Sequence, residues 1–384
     1  MSEIRPISVW NVGSLHFGQG SVRECATGLA ERACTRAFLV TTPPTRHLCD
    51  PLLGRLTELG FVTHIWDRLA GEPTLTEFAD ALAEARGFGA DCVIGLGGGS
   101  AMDVAKLVAA LFDGAQSIDD VVGVDRLTHR ALPLACIPTT AGTGSEVTPI
   151  AILEDERDAL KKGTVSRYLV PDIACLDPEM TVSMPRAVTA STGLDALTHC
   201  IEAYANRFSH PIVDSFALEG VRLIAANLAR ACADGTDLAA RAAMLRASYY
   251  GGLCLGPVNT GAVHALAYPL GGEFHVPHGV ANALLLPHVL RFNVEVAPAR
   301  YASVAEAMGI ARTGDDMADA LAGIDRIEAL SRECGVTGGM SAHGISSNAI
   351  PHMAAAAITV TRLLERNLRV VTEEDAARIY HAAL

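Results

Sequence analysis

Residues 93–106 read "VIGLGGGSAMDVAK", an apolar strand that runs through consecutive glycines into a helix carrying Asp103 and Lys106. Glycines at a strand-to-helix junction let backbone N–H groups approach a pyrophosphate closely, and the helix dipole favours its negative charge. The stretch departs from Gly-x-Gly-x-x-Gly, because Ser100 occupies the third glycine position, and it lies about two βα units into the chain. The pattern predicts a phosphate cradle, with a tight turn that binds nothing as the alternative. Its residues are Gly97, Gly98, Gly99 and Ser100.

Short β-rich runs alternate with amphipathic stretches around this cradle, from residue 36 to about 180. Alternation of this kind predicts a parallel sheet with helices on both faces, which is a Rossmann-like α/β domain. We place this NAD(P)-binding domain at residues 1–183. Its predicted strands are "AFLVTT", "FVTHIW", "DCVIGLG", "LPLACIP" and "DIACLD".

The second half has a different rhythm, with long Ala/Leu-rich segments at helical spacing such as "LDALTHCIEAYAN" and "VDSFALEGVRLIAANLARACA". This periodicity predicts an all-helical domain, placed at residues 184–384. A chain of 384 residues also exceeds the size at which single cores stop growing, so two domains are expected.

Composition excludes several classes of function. The net charge of −13 argues against nucleic-acid or anionic-membrane binding, and no apolar run reaches the length of a membrane-spanning helix. The opening residues lack a secretory pattern, and the ten scattered cysteines indicate free thiols in a reducing compartment. We therefore expect a cytoplasmic protein that binds small molecules.

A second polar loop, "PTTAGTGSEVTP" at residues 138–149, clusters hydroxyl groups suited to ribose and phosphate contacts. Its candidate contacts are Thr139, Thr140, Thr143 and Ser145. After the first strand of the alternating region, Thr42 stands where an acidic residue would grip an adenine ribose hydroxyl and repel a 2′-phosphate. NADP is therefore allowed, and Arg46 is placed to help bind it.

Four residues of the second half form a candidate metal site. Asp195 and His199 are four residues apart on a predicted helix and share one face, while His264 and His278 flank a predicted helix end and turn. The turn is expected because "PLGG" (residues 269–272) and Pro277 break regular structure. One carboxylate and three imidazoles suit Fe²⁺ or Zn²⁺ better than Mg²⁺ or Ca²⁺. The alternative is an ordinary Asp–His pair and hydrogen-bonded core histidines.

These motifs together resemble the iron-containing alcohol dehydrogenase family, of the superfamily that includes glycerol dehydrogenases and dehydroquinate synthases. The resemblance covers most of residues 10–295, in family order and roughly family spacing. Its motifs are "LHFGQGSV", "GLGGGSAMDVAK", "PTTAGTGSEVTP", "VPDIACLDPEM", "STGLDALTHCIEAYAN" and "GAVHALAYPLGGEFHVPHGVANALLLPHVLRFN".

The resemblance implies a dehydroquinate synthase-like fold and a metal-dependent NAD(P) alcohol dehydrogenase, with catalysis in the cleft between the domains. It implies a homodimer or higher homo-oligomer. It assigns Asp195, His199, His264 and His278 to the catalytic metal, Gly97 to Ser100 with Asp103 to the pyrophosphate, and the hydroxyl loop with Lys161 to further cofactor contacts.

The chain departs from many members at Tyr268, where they have a histidine thought to relay protons. Phenols titrate near pH 10 and transfer protons poorly near neutrality. We therefore expect protons to move through the cofactor ribose and water, helped by His275, and treat Tyr268 and His275 as the candidate catalytic residues.

Other activities stay open at this point. A maleylacetate reductase, a hydroxyacid dehydrogenase and a dehydroquinate synthase-like lyase all bind acidic substrates and need nearby cations. No arginine or lysine between residues 191 and 285 adjoins the candidate ligands, which disfavours the lyase most. A non-catalytic cofactor-binding protein is disfavoured by the complete ligand set.

Overall fold

A computed structural model describes residues 5–157 and 160–384. Their contacts divide the chain into two compact units, an α/β unit of residues 9–140 and 144–183 and a helical unit of residues 5–8, 141–143 and 184–384. The division of the chain into domains 1–183 and 184–384 stays a prediction. No helix within the described ranges has both the length and the apolar character needed to span a membrane.

The α/β unit contains a six-stranded parallel sheet in the order β1-β9-β6-β4-β2-β3, which confirms the predicted Rossmann-like class. Every residue of β4, at the centre of the sheet, is buried, as expected of a strand covered on both faces. The strands are β1 Ser14–Phe17, β2 Arg36–Val40, β3 Val62–Trp66, β4 Cys92–Gly97, β5 Gly123–Val124, β6 Leu134–Pro138, β7 Ile150–Asp155, β8 Leu160–Val165 and β9 Ile173–Leu176.

A second, three-stranded sheet has the order β5-β8-β7, with β7 and β8 antiparallel. This sheet was not predicted from the sequence. Strand β8 reads "LKKGTV", in which two lysines and a glycine hide the alternation that would mark a half-buried strand.

The helical unit is built from α6 to α15, joined by short 3-10 turns and one isolated bridge between Asn206 and Asn367. The helices are α1 Glu24–Ala30, α2 Asp50–Glu58, α3 Leu75–Phe88, α4 Gly99–Leu111, α5 Ile118–Val121, α6 Arg186–Tyr204, α7 Pro211–Ala233, α8 Leu238–Leu255, α9 Ala262–Phe274, α10 His278–Asn293, α11 Pro298–Ala307, α12 Asp316–Cys334, α13 Ile350–Ala357, α14 Thr361–Leu364 and α15 Glu373–Ala383.

The helix end and turn expected between His264 and His278 are present, since α9 ends at Phe274 and α10 begins at His278. The expected break at "PLGG" was wrong, because α9 continues through Pro269. Residues 262–267 of this helix are buried in the core of the helical unit. Tertiary packing therefore overrides the cost of an interior proline and two glycines. The helix ends where His275 takes up a left-handed conformation with φ 54°, and the turn to α10 follows.

Candidate active site

Three imidazoles converge on one carboxylate in the helical unit. The Nε2 atoms of His199, His264 and His278 lie 3.8, 3.6 and 3.7 Å from Oδ1 of Asp195. Four ligands at about 2.1 Å from a tetrahedral metal have their donor atoms about 3.4 Å apart, so these residues fit a divalent ion such as Fe²⁺ or Zn²⁺. The donor atoms of Asp195, His199 and His264 all lie within 4.8 Å of one another, and Nε2 of His278 lies beside them near Oδ1 of Asp195. The assignment of all four residues as metal ligands stays a prediction.

The chain reaches this arrangement through close helix packing. Asp195 and His199 lie one turn apart on α6, His264 lies in the first turn of α9, and His278 is the first residue of α10. A Cβ on Gly279 would lie 2.1 Å from the carbonyl oxygen of Ser191 on α6. Only glycine permits this approach, which carries His278 to the turn of α6 that holds Asp195.

Exposure is uneven among the four residues. The side chains of Asp195, His199 and His264 are 5, 7 and 6% exposed, whereas that of His278 is 37% exposed. A small molecule therefore has access to the cluster on the side of His278.

Two polar residues beside the cluster were not predicted from the sequence. Oε2 of Glu202 lies 2.6 Å from Nδ1 of His264, and Nδ2 of Asn282 donates to Oδ1 of Asp195 at 2.7 Å. Glu202 follows His199 by three residues and Asn282 follows His278 by four, so both share a helix face with a predicted ligand. That spacing was the available signal.

Burial and charge set the titration of the cluster. Burial opposes the ionised form of Asp195, but the imidazoles of His199, His278 and His264 outweigh it and hold the pKa of this carboxyl well below its usual range. Burial lowers the pKa of His199. Burial also opposes the charged form of His264, yet hydrogen bonds with Asp195 and Glu202 prevail and raise its pKa to about 9.

The two candidate catalytic residues lie near the cluster in the chain. Tyr268 follows His264 by one turn of α9 and is half-buried. His275 is exposed and caps the same helix, with its backbone N–H donating to the carbonyl of Gly271 at 3.2 Å.

The glycine cradle lies where β4 meets α4. Gly97 ends β4, and Gly98, which precedes the first residue of α4, has no side chain that could cap the helix. The first N–H groups of α4 have no acceptor within the helix and are available to a ligand. A Cβ on Gly97 would lie 2.7 Å from that of Ala101. Strands β4 and β6 are neighbours in the sheet, and the N–H of Thr139 donates to the carbonyl of Gly97 at 2.9 Å. The cradle and the start of the hydroxyl loop therefore lie side by side.

A buried lysine fixes the rest of this loop. Nζ of Lys106, fully buried, donates to Oγ of Ser145 at 2.8 Å, to the carbonyl of Ile150 at 2.8 Å and to both oxygens of Thr148. Oγ of Ser145 in turn donates to Asp103 at 2.6 Å. The side chains of Asp103 and Ser145, two predicted cofactor contacts, are thus hydrogen-bonded to other groups of the protein.

The remaining predicted cofactor contacts have separate surroundings. Thr42 follows β2 and caps a 3-10 turn, where its hydroxyl bonds that of Thr45 at 2.7 Å. Thr140 lies next to the cradle, since a Cβ on Gly98 would contact its side chain at 3.6 Å. Thr143 belongs to the segment assigned to the helical unit. Lys161 lies on β8 and pairs with Glu72 at 2.5 Å.

One acidic residue of the hydroxyl loop is buried with one carboxylate oxygen left without a hydrogen bond to the described part of the chain. Glu146 is 1% exposed, and its Oε1 has no hydrogen-bond partner among the described residues. Burial raises the pKa of this carboxyl to about 7, against a smaller opposing effect of Lys106.

Comparison with known proteins identifies the family. Residues 13–178 match the family described as iron-containing alcohol dehydrogenase, and residues 189–384 match the Fe-containing alcohol dehydrogenase family, C-terminal. The chain belongs to the iron-containing alcohol dehydrogenase family. It is an oxidoreductase of this type, as its resemblance implied.

Individual relatives match over nearly their full length. A sulfoacetaldehyde reductase of Bilophila wadsworthia (strain 3_1_6) is 33% identical over 97% of this chain and 98% of its own. A solved structure of a 1,3-propanediol oxidoreductase has a TM-score of 0.96 at 34% identity, covering 99% of this chain and 100% of that chain. A sulfoacetaldehyde reductase from Bifidobacterium kashiwanohense, solved in complex with NAD⁺, has a TM-score of 0.90 at 28% identity, covering 99% of each chain.

The substitution Glu146→Gln should change the pH dependence of stability. In the folded chain this carboxyl holds its proton to about pH 7, whereas in the unfolded chain it ionises near pH 4.5. The free energy of unfolding therefore falls by about 3 kcal/mol as the pH rises from 4.5 to 7, and this loss of stability persists above pH 7. We expect Glu146→Gln to raise the melting temperature at pH 8 and to leave it nearly unchanged at pH 4.5. Glu31→Gln, at an exposed position, is the control. A difference between Glu146→Gln and wild type that did not vary with pH would contradict this account.

Proposed function

We propose that this protein interconverts a small primary or secondary alcohol and its aldehyde or ketone, with hydride transfer to or from a nicotinamide dinucleotide. The observation that carries the proposal is the convergence of three imidazole nitrogens on Oδ1 of Asp195, in a chain of the iron-containing alcohol dehydrogenase family.

We propose Asp195, His199, His264 and His278 as the ligands that would hold Fe²⁺ or Zn²⁺. When bound, such an ion supplies Lewis-acid polarisation of a carbonyl or hydroxyl oxygen. The protein contributes a frame in which three donor side chains are almost fully buried, so their donor atoms are held in place before any ligand arrives. The greater exposure of His278 leaves the side from which a substrate oxygen can approach.

The nicotinamide cofactor would be held by the α/β unit. Backbone N–H groups at residues 97–100 would bind the pyrophosphate, because a glycine turn there leads directly into the N-terminus of α4. Thr139, Thr140 and Thr143 offer hydroxyls, and Lys161 a cation. Asp103 and Ser145 support the site by fixing the loop through Lys106.

Thr42 favours acceptance of NADP as well as NAD. A hydroxyl at this position neither grips a ribose diol as a carboxylate does nor repels a 2′-phosphate. Arg46 lies four residues on and pairs with Asp67 at 3.6 Å, with both side chains about 40% exposed. Its guanidinium is therefore available to a phosphate at modest cost.

We propose that His275 carries protons between the site and solvent and that Tyr268 packs beside the substrate. The imidazole of His275 is exposed and can exchange protons with water, whereas the side chain of Tyr268 is half-buried.

An uncharged substrate is favoured because three arginines between residues 191 and 285 are already engaged elsewhere in the protein. Arg222 pairs with Glu219 and Arg230 with Asp237, while the guanidinium of Arg241 is buried against Thr189. None of these three is held ready for an anionic substrate.

We also propose a cytoplasmic homodimer. All ten cysteines are free and buried, which suits a reducing compartment. Leu15 and Phe17 are 43 and 47% exposed on the edge strand β1, an apolar edge that a second copy would cover.

His264→Ala should abolish both metal retention and activity. Metal analysis of anaerobically purified wild type should give about one Fe or Zn per chain, with a large loss in the variant. Wild type should reduce NAD(P)⁺ with some members of a panel of small alcohols, and His264→Ala should not. A panel of neutral, carboxylated and sulfonated aldehydes tests the substrate class in the reverse direction. His16→Ala is the control, since His16 lies on β1 in the other unit. Retention of metal by His264→Ala would show that the ligand set is wrong.

Thr42→Asp should weaken NADPH binding specifically. Aspartate caps a helical turn as well as threonine does, so the local fold should survive, but its charge repels a 2′-phosphate. We expect NADPH to bind wild type at least as well as NADH, and Thr42→Asp to weaken NADPH alone by about tenfold or more, that is ~1.4 kcal/mol. Thr42→Ser is the matched control. Equal effects on the two cofactors in a fluorescence titration would remove the argument.

His275→Ala should slow turnover near neutral pH, with partial rescue by added imidazole, while Tyr268→Phe should leave it within a few-fold of wild type. Steady-state and single-turnover rates on one alcohol measure both effects. The assignment fails if Tyr268→Phe abolishes hydride transfer while His275→Ala leaves it intact.

A further inference from the structure

Glu202 lies behind the ligand cluster with both carboxylate oxygens engaged. It is 5% exposed and lies on α6, one turn beyond His199. Oε2 lies 2.6 Å from Nδ1 of His264, and Oε1 accepts a hydrogen bond from the backbone N–H of Val263, also at 2.6 Å. A buried carboxylate with two short contacts to one segment constrains that segment strongly.

The contact with Val263 stabilises the start of α9. The first N–H groups of a helix lack partners within it, and Gly261, which precedes α9, offers no side-chain cap. Glu202 supplies the missing acceptor from a distant part of the chain, and the positive end of the helix dipole favours its charge. A Cβ on Gly261 would lie 3.2 Å from Oε1, so the backbone there is shaped around this carboxylate.

The contact with His264 determines which ring nitrogen carries the proton. An ionised carboxylate can only accept, so Nδ1 of His264 must be the donor. A histidine binds a metal as the neutral ring, and in that form the proton is absent from Nε2, which is the atom 3.6 Å from Oδ1 of Asp195. The lone pair needed by a metal is therefore directed into the cluster.

We propose that Glu202 is a positioning residue of the metal centre, which holds His264 in the orientation and tautomer that bind a divalent ion through Nε2. This inference rests on the proposed function, since it takes His264 as a ligand. Partners of this kind typically change metal affinity 10- to 100-fold when they are removed.

Glu202→Gln provides the sharpest test. Glutamine retains the size of the side chain, but if its carbonyl caps Val263 then its amide faces Nδ1 as a donor and favours the proton on Nε2. We expect the Zn²⁺ affinity, measured by chelator competition on the metal-stripped full chain, to fall about 10- to 100-fold. The visible spectrum of the Co²⁺-loaded variant should also shift from that of wild type, which an effect on folding alone would not produce.

Thr198→Val is the matched control. Thr198 is fully buried on the same helix and donates to the carbonyl of Leu194 at 2.8 Å, so this variant loses a buried hydrogen bond that involves no candidate ligand. It should bind Zn²⁺ as wild type does and give the same Co²⁺ spectrum.

The outcomes separate this inference from the proposed function. If Glu202→Gln retains wild-type Zn²⁺ affinity and Co²⁺ spectrum while His264→Ala loses the metal, the role of Glu202 is wrong and the ligand set stands. If His264→Ala also retains the metal, the ligand set itself is wrong. Should Glu202→Gln not fold, a ¹⁵N-histidine NMR spectrum of Zn²⁺-loaded wild type, assigned with His264→Ala, decides the matter. It should show the His264 proton on Nδ1, and a proton on Nε2 would overturn the proposal.

Discussion

The carboxylate of Asp195, buried among three imidazoles, is the constraint around which the helical unit is organised. An isolated charge in a protein interior is costly, so the surrounding groups must compensate it. Helices α6, α9 and α10 supply the compensating groups, which are the imidazoles of His199, His264 and His278. Each has a nitrogen within 3.8 Å of Oδ1. The absence of a side chain at Gly279 permits the close approach of α10 to α6 that this arrangement needs.

The α/β unit contains a buried charge of the opposite sign, the ammonium group of Lys106. Burial lowers the pKa of Lys106 and disfavours its charge, while Asp103 acts in the opposite direction. Oxygens of Ser145, Thr148 and Ile150 complete its hydrogen bonds, so the charge is satisfied and the hydroxyl loop is fixed to α4. Removing one partner from such a network leaves an unpaired buried group, which costs more than the bond itself contributes. Lys106 therefore anchors the hydroxyl loop beside the glycine cradle to α4.

Sequence patterns predicted the parts of this protein that follow local rules. The run at β4, the glycines after it and the four-residue spacing of Asp195 and His199 each reflect one element and its period. The failures involve packing between distant elements. Pro269 and its neighbouring glycines read as a break because their burial is invisible in the sequence, and Glu202 reads as an ordinary polar residue of a helix. The spacing of Glu202 from His199 places it on the same helix face, but no local pattern shows that it caps Val263, sixty-one residues away.

Exposure differs between the cluster around Asp195 and the residues beside it. The side chains of Asp195, His199 and His264 are buried, so a substitution there disturbs the charge balance around Asp195. The accessible side is different, because His278 is 37% exposed, His275 is exposed and Tyr268 is half-buried. Relatives that share the fold carry the names of propanediol, sulfoacetaldehyde and long-chain alcohol enzymes. A substitution at His275 or Tyr268 changes the surroundings of the cluster without removing a group that balances the charge of Asp195.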